Sequence, residues 1–182
     1  MALWSARGGN MFFRSKNLFL RPIWSEDAVA LRAAIGELDW SRVVVDAPAG
    51  SCRNGGDEGE EAPRLPRCVI ARPGGNGEQI VGAAGLFLRD RNVVLELWID
   101  PAHRGRGYGT EAARAMAELA WAAGHERILA TIPPGNVAIL RVLRKSGFLP
   151  GGSGFIPFGE NAILTIPHKR DWSWAGPEMH AA

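Results

Sequence analysis

The 182-residue chain is 46% hydrophobic and 22% charged, the balance of a globular protein able to bury one substantial core. Its formal charge of +2 lacks the clustered basic stripe that marks a nucleic-acid binder, and no apolar run nears the roughly 20 residues of a membrane helix. Cys52 and Cys68 have no metal-type spacing and fit a reducing compartment, so the reading is a cytoplasmic protein with neither a nucleic-acid nor a membrane partner.

In chain order, residues 1–16 lack the apolar core of a signal peptide and read as a flexible N-terminal arm. "NLFLRPI" (17–23) alternates and predicts a first strand. "SEDAVALRAAIGEL" predicts a helix, with Ser25 as N-cap and Glu26 and Asp27 complementing the first-turn N–H groups. Its apolar face holds Ala28, Leu31, Ala34, Ile35 and Leu38. Residues 46–66 are rich in Gly, Pro and acid, show no periodicity, and read as a long loop.

"RCVIAR" (67–72), "QIVGAAGLFL" (79–88) and "VVLELWID" (93–100) are separated by the turns "PGGNGE" and "RDRN" and predict an antiparallel meander. A glycine-rich segment then opens an Ala-rich helix that runs to about Ala123 and stops at Gly124. "ERILATI" (126–132) is a fifth strand, and "NVAILRVLRKSG" (136–147) a helix with Asn136 as N-cap. Short strands around "GFIPF" and "NAILTIP" bring the sheet to about seven. The tail, 171–182, has no pattern, and residues 17–170 read as one domain without repeats.

The segment "RGRGYGTEAARAMAELAW" (104–121) carries the chemistry. First-turn N–H groups of a helix lack intrahelical partners and attract anions. Glycines let phosphate oxygens approach that backbone and permit positive φ. A nucleotide P-loop requires Lys after its glycines, and none follows here. The dinucleotide fingerprint requires an acid at the end of the next strand, but that strand ends "ATIPP". What remains is Q/R-x-x-G-x-G/A, which Arg104, Gly107 and Gly109 match in register.

With "LFLRPIWSEDA", "LELWIDPAHRGRGYGTEAARAMAELA" and "NVAILRVLRKSGF" in this order, the chain resembles the GNAT-superfamily acyl-coenzyme A N-acyltransferases over roughly residues 17–170. It is most similar to the branch containing the ribosomal-protein N-terminal acetyltransferases. The resemblance implies an α/β fold: a mixed, mostly antiparallel sheet splayed between its fourth and fifth strands, with helices on both faces. It implies acetyl-coenzyme A as co-substrate and no metal. The partner it implies is an amine acceptor, a small molecule or a protein N-terminus, with a homodimer among the arrangements open to the chain. Residues 46–66 fall on the acceptor side.

Carried over by residue, the resemblance assigns the diphosphate to the backbone of Arg104, Gly105, Arg106, Gly107, Tyr108, Gly109 and Thr110. Leu97, Trp98 and Ile99 would pair with the pantetheine arm, and Asn136 would also contact it. Arg141, Arg144 and Lys145 are candidates for the 3′-phosphate. Some relatives have a Tyr as proton donor where this chain has Leu143, and a Ser where it has Ile139. Glu96, the one acid within an apolar strand segment, is the candidate base, with Glu160 second. The missing Tyr and Ser leave a non-catalytic acyl-coenzyme A sensor as the alternative. His103, His125, His168 and His180 share no metal spacing.

Overall fold

The structure, a computed structural model, describes residues 2–3, 12–35, 65–75, 77–89, 92–132, 135–150 and 162–167. In chain order they form β1 (Ala2–Leu3), β2 (Phe12–Arg14), β3 (Phe19–Pro22), α1 (Asp27–Ile35), β4 (Arg67–Gly74), β5 (Gly77–Arg89) and β6 (Asn92–Ile99). A 3-10 turn (Pro101–His103) leads to α2 (Tyr108–Ala122), followed by β7 (Arg127–Ile132), α3 (Val137–Lys145), β8 (Leu149–Pro150) and β9 (Ala162–Pro167). The strands make one sheet in the order β1-β2-β3-β4-β5-β6-β7-β9-β8. Among the described residues only β6 and β7 pair in parallel.

The mixed, mostly antiparallel sheet matches the sequence reading, but among the described residues it has nine strands instead of about seven. Two of the unforeseen strands lie in the segment read as a loose arm, and the third is β8 at Leu149–Pro150. Phe12–Arg14 pairs with β3, and Ala2–Leu3 pairs with β2. Phe12 stacks on Phe19 with centroids 5.8 Å apart, a cross-strand aromatic contact that favours this pairing. Residues 46–64, the "GFIPF" strand, Glu160 and the tail lie outside the described residues.

Strand alternation sends side chains to two faces. Cys68, Ile70, Ala84 and Leu95 pack with Met116, Ala120, Leu143 and Phe148, so α2 and α3 cover one face. Val69 and Ala83 pack with Leu31 of α1 and with Trp98 on the other. Helix α2 is buried nearly all round, and its alanines at 112, 113, 115, 117 and 120 let the backbone lie close to the sheet.

On the α1 face Arg21 is buried at 3% exposure. Its guanidinium donates to both Asp27 oxygens, at 2.7 and 2.8 Å, and to Glu78, while lying 3.9 Å from the centre of the Trp24 ring. Burial alone would push the Asp27 carboxyl upward, but Arg21 and the Trp24 N–H, 2.7 Å from Oδ2, hold it below its usual range. Helix α1 thus starts on Asp27. The Ser25 hydroxyl, expected to cap it, donates to Glu26 instead.

Helix α2 ends as its sequence implies. Gly124 takes φ +88°, its N–H reaches Trp121 O, and the His125 N–H reaches Ala120 O. Helix α3 begins on Asn136, whose side-chain oxygen accepts from the Ile139 N–H at 3.1 Å.

Candidate functional site

The parting of the sheet can be followed residue by residue. Toward β7, strand β6 is paired only at Val93, Val94 and Leu95. Toward β5 it stays paired from Asn92 to Ile99, and the Asp100 N–H extends the ladder to Val81 O at 3.0 Å. In an antiparallel ladder, alternate residues turn their N–H and C=O to the same neighbour. Asp100, Trp98 and Glu96 therefore face β5, while Leu97 and Ile99 face the gap left by β7. Trp98, expected to offer its main chain there, turns it toward β5 instead. The Ile99 carbonyl accepts from Arg104 Nε at 3.0 Å, which leaves the Leu97 groups and the Ile99 N–H toward the gap.

The glycine segment lies at the mouth of this gap. Asp100 starts the 3-10 turn, its Oδ1 accepting from the Ala102 N–H at 2.9 Å and its Oδ2 meeting His103 Nδ1 at 3.1 Å. The Ala102 N–H, supported by His103 and Arg104, holds the Asp100 carboxyl below its usual range against a burial penalty. Gly105 and Gly107 then take φ +76° and +83°, a left-handed region that costs other residues energy. A Cβ built on either would meet no heavy atom within 4 Å, so backbone conformation, not crowding, calls for glycine.

Gly107 is the N-cap of α2 and supplies no side-chain cap. The first helical bond runs from the Glu111 N–H to Gly107 O at 3.1 Å. The N–H groups of Tyr108, Gly109 and Thr110 thus lack intrahelical partners and carry the positive end of the helix dipole. Two contacts fix this end. Glu111 accepts from the Asn17 N–H and Nδ2 at 2.8 and 3.0 Å, and the buried Ser146 hydroxyl reaches Thr110 O at 3.2 Å. Gly109 packs closely on α3, where a Cβ would lie 3.3 Å from Val142 Cγ2.

A cleft of about 750 Å³ joins these parts. Glu96, Leu97, Trp98, Ile99, Arg104, Gly105, Gly107, Tyr108, Gly109, Thr110 and Asn136 all line it. Arg106 is exposed and is not among the lining residues. Arg141 and Lys145 line the cleft from α3, whereas Arg144 does not. Leu143, at the position of the absent Tyr, is fully buried. Sequence reasoning missed Arg67, Phe87 and His103, which also line the cleft. The sequence signal for Arg67 is weak because strand register, not spacing, brings it opposite Gly85, whereas Phe87 shares the face of Gly85 two residues along the same strand.

The unpartnered N–H groups, the open space over two glycines and the exposed strand amides fit a ligand with a diphosphate and an amide-bearing arm. Coenzyme A has both. No helix of the described residues is long and apolar enough to cross a membrane.

Comparison with known proteins agrees with this geometry. Residues 17–149 match the family model described as "Acetyltransferase (GNAT) domain". Over 79 residues the chain is 34% identical to "Probable N-acetyltransferase YjcK" of Bacillus subtilis, a match covering 39% of this chain and 42% of that protein. The chain thus spans less than half the length of that relative. An acetyltransferase structure from Agrobacterium tumefaciens superposes with a TM-score of 0.63 at 19% identity, covering 90% of this chain and 96% of the other. Mycobacterium smegmatis RimJ, determined with a coenzyme A disulfide, superposes with a TM-score of 0.59 at 19% identity, covering 84% and 83%. At such identities the structures establish a shared fold.

Proposed function

The chain belongs to the GNAT acetyltransferase family, and from that membership we propose that it is a cytoplasmic N-acetyltransferase. It moves an acetyl group from acetyl-coenzyme A to a primary amine, a small molecule or a protein N-terminus, by direct attack in a ternary complex. The observation that carries this reading is the departure of β7 from β6 after Leu95, beside a helix N-terminus with no side-chain cap. The coenzyme A compound held by the similarly folded RimJ supports it.

In this reading the N–H groups between Gly105 and Thr110 grip the diphosphate. Leu97 and Ile99 pair with the pantetheine amides as if with an added strand, and Asn136 contacts the same arm. The bound thioester supplies an activated acyl carbon with a thiolate leaving group. A free N–H of β6 polarises its carbonyl, a donor type whose removal elsewhere costs about 10²–10³ in rate. Glu96 takes a proton from the ammonium form of the acceptor, directly or through water. The neutral amine then forms the N–C bond as the C–S bond breaks, and the nitrogen releases its second proton to water as the amide forms. Leu143 offers no proton, so the thiolate leaves unassisted or is protonated by water. Holding both reactants in line supplies much of the remaining acceleration.

Release of free thiol from acetyl-coenzyme A, measured with a panel of primary amines and peptides, tests the proposal. Amine-dependent release supports it. Tight coenzyme A binding without turnover favours the sensor reading, for which Leu143 is the specific observation. Absence of both removes the assignment.

A further inference from the structure

The α1-side wall of the cleft contains a charge, on Arg67, with no carboxylate partner among the described residues. Register places Arg67 of β4 opposite Gly85 of β5, and Gly85 opposite Glu96 of β6. These three positions form one row on one face, with Arg67 and Glu96 two strand spacings, about 10 Å, apart at their Cα atoms. The glycine between them makes room for neighbouring side chains. Phe87 fills part of that space, since a Cβ on Gly85 would lie 2.8 Å from its Cε2. The Arg67 guanidinium sits over the Phe87 ring, 4.7 Å from its centre, and a Cβ on Gly85 would lie 3.5 Å from Arg67 Cγ. Arg67, Phe87, Gly85 and Glu96 all line the cleft. Among the described residues no carboxylate lies within ion-pairing distance of Arg67.

A planar cation held on an aromatic face beside a cleft is a preorganised seat for a carboxylate. Resting on the acetyltransferase reading above, we propose that Arg67 selects acceptors with a carboxylate close to the reacting amine. Glu96 faces the amine end and Arg67 the carboxylate end of the same molecule. That chemistry belongs to a free amino acid or to a peptide with an acidic residue next to its N-terminus.

The test uses acceptor pairs matched in length: an amino acid and its amide, a peptide with acidic second residue and its Asn or Gln counterpart, and a diamine. Each is assayed by thiol release with wild type, Arg67→Gln and Arg67→Lys, with coenzyme A affinity measured on the same samples. Wild type should prefer the carboxylated member of at least one pair by roughly ten- to a hundredfold in kcat/KM, the range of a charge-assisted hydrogen bond. The preferred pair distinguishes small molecule from peptide. Arg67→Gln should remove the preference mainly through KM, Arg67→Lys should restore part of it, and coenzyme A affinity should stay the same. Equal or better turnover of the amides or the diamine by wild type overturns the inference while leaving acetyl transfer standing. If no amine is acetylated, both readings fall.

Discussion

Replacing Gly107 with Ala separates the conformational role of a glycine from its role at a ligand. Gly107 has φ +83°, and a Cβ there would meet nothing within 4 Å. Gly124, at the other end of the same helix, has φ +88° and equally open surroundings. Neither substitution creates a clash, so each should cost the left-handed penalty alone, about 1–2 kcal/mol. For a domain of this size that lowers Tm by roughly 2–8 °C. The two sites differ only in what they face: Gly107 lines the cleft and Gly124 does not. A methyl group at 107 would occupy space beside the N–H groups of α2 and displace at least one charge-assisted hydrogen bond, weakening coenzyme A binding roughly ten- to a hundredfold. Thermal melts and calorimetric titration of Gly107→Ala and Gly124→Ala measure both quantities. Similar melting losses with an affinity loss only at 107 support the reasoning. Coenzyme A affinities that fall together, or not at all, refute it.

Three further outcomes follow from particular contacts. Glu96→Gln should reduce kcat/KM about 10²–10⁴-fold at neutral pH and recover as pH rises and free amine accumulates, with coenzyme A affinity retained; a pH–rate profile identical to wild type would exclude Glu96 as base. Asp27→Asn should destabilise the fold by roughly 3 kcal/mol at pH 7, because Arg21 keeps its burial and loses its main partner. The folded pKa of Asp27 lies below its unfolded value, so its contribution is complete above about pH 4 and fades as pH falls through the folded value. Denaturant melts should therefore show the gap between variant and wild type narrowing toward pH 2, and a constant gap would contradict the assignment. Gly82→Ala should cost about 1–3 kcal/mol in the same melts, because its Cβ would come 2.3 Å from the Trp98 carbonyl and move backbone.

The sequence signals differ in kind, and so does what each could reveal. Gly124 and Asn136 marked helix ends through local rules, and the structure has both in those roles. The meander was legible because 67–72, 79–88 and 93–100 are apolar runs set apart by the turn segments "PGGNGE" and "RDRN". The pairing of Phe12–Arg14 was not, because three residues carry no usable period and their place depends on the waiting edge of β3. Asp27 stands in the first turn as the local rules expected, but its pairing with the buried Arg21 was not legible, and the Ser25 hydroxyl, which satisfied the rule for a cap, donates to Glu26. In the cleft, the glycine segment was readable from the backbone freedom it requires. Which main-chain groups of β6 point into the gap was not, since that follows from the ladder to β5 and from where β7 leaves. Arg67 escaped notice because only three-strand register brings it into one row with Glu96.

Amide hydrogen exchange read by NMR, with and without coenzyme A, tests the central claim most directly. The account predicts new protection at Leu97 and Ile99 and at the N–H groups from Gly107 to Thr110, with little change in the β7–β9 ladder. Saturating coenzyme A that leaves those amides exchanging freely, or that protects a different surface, would contradict it.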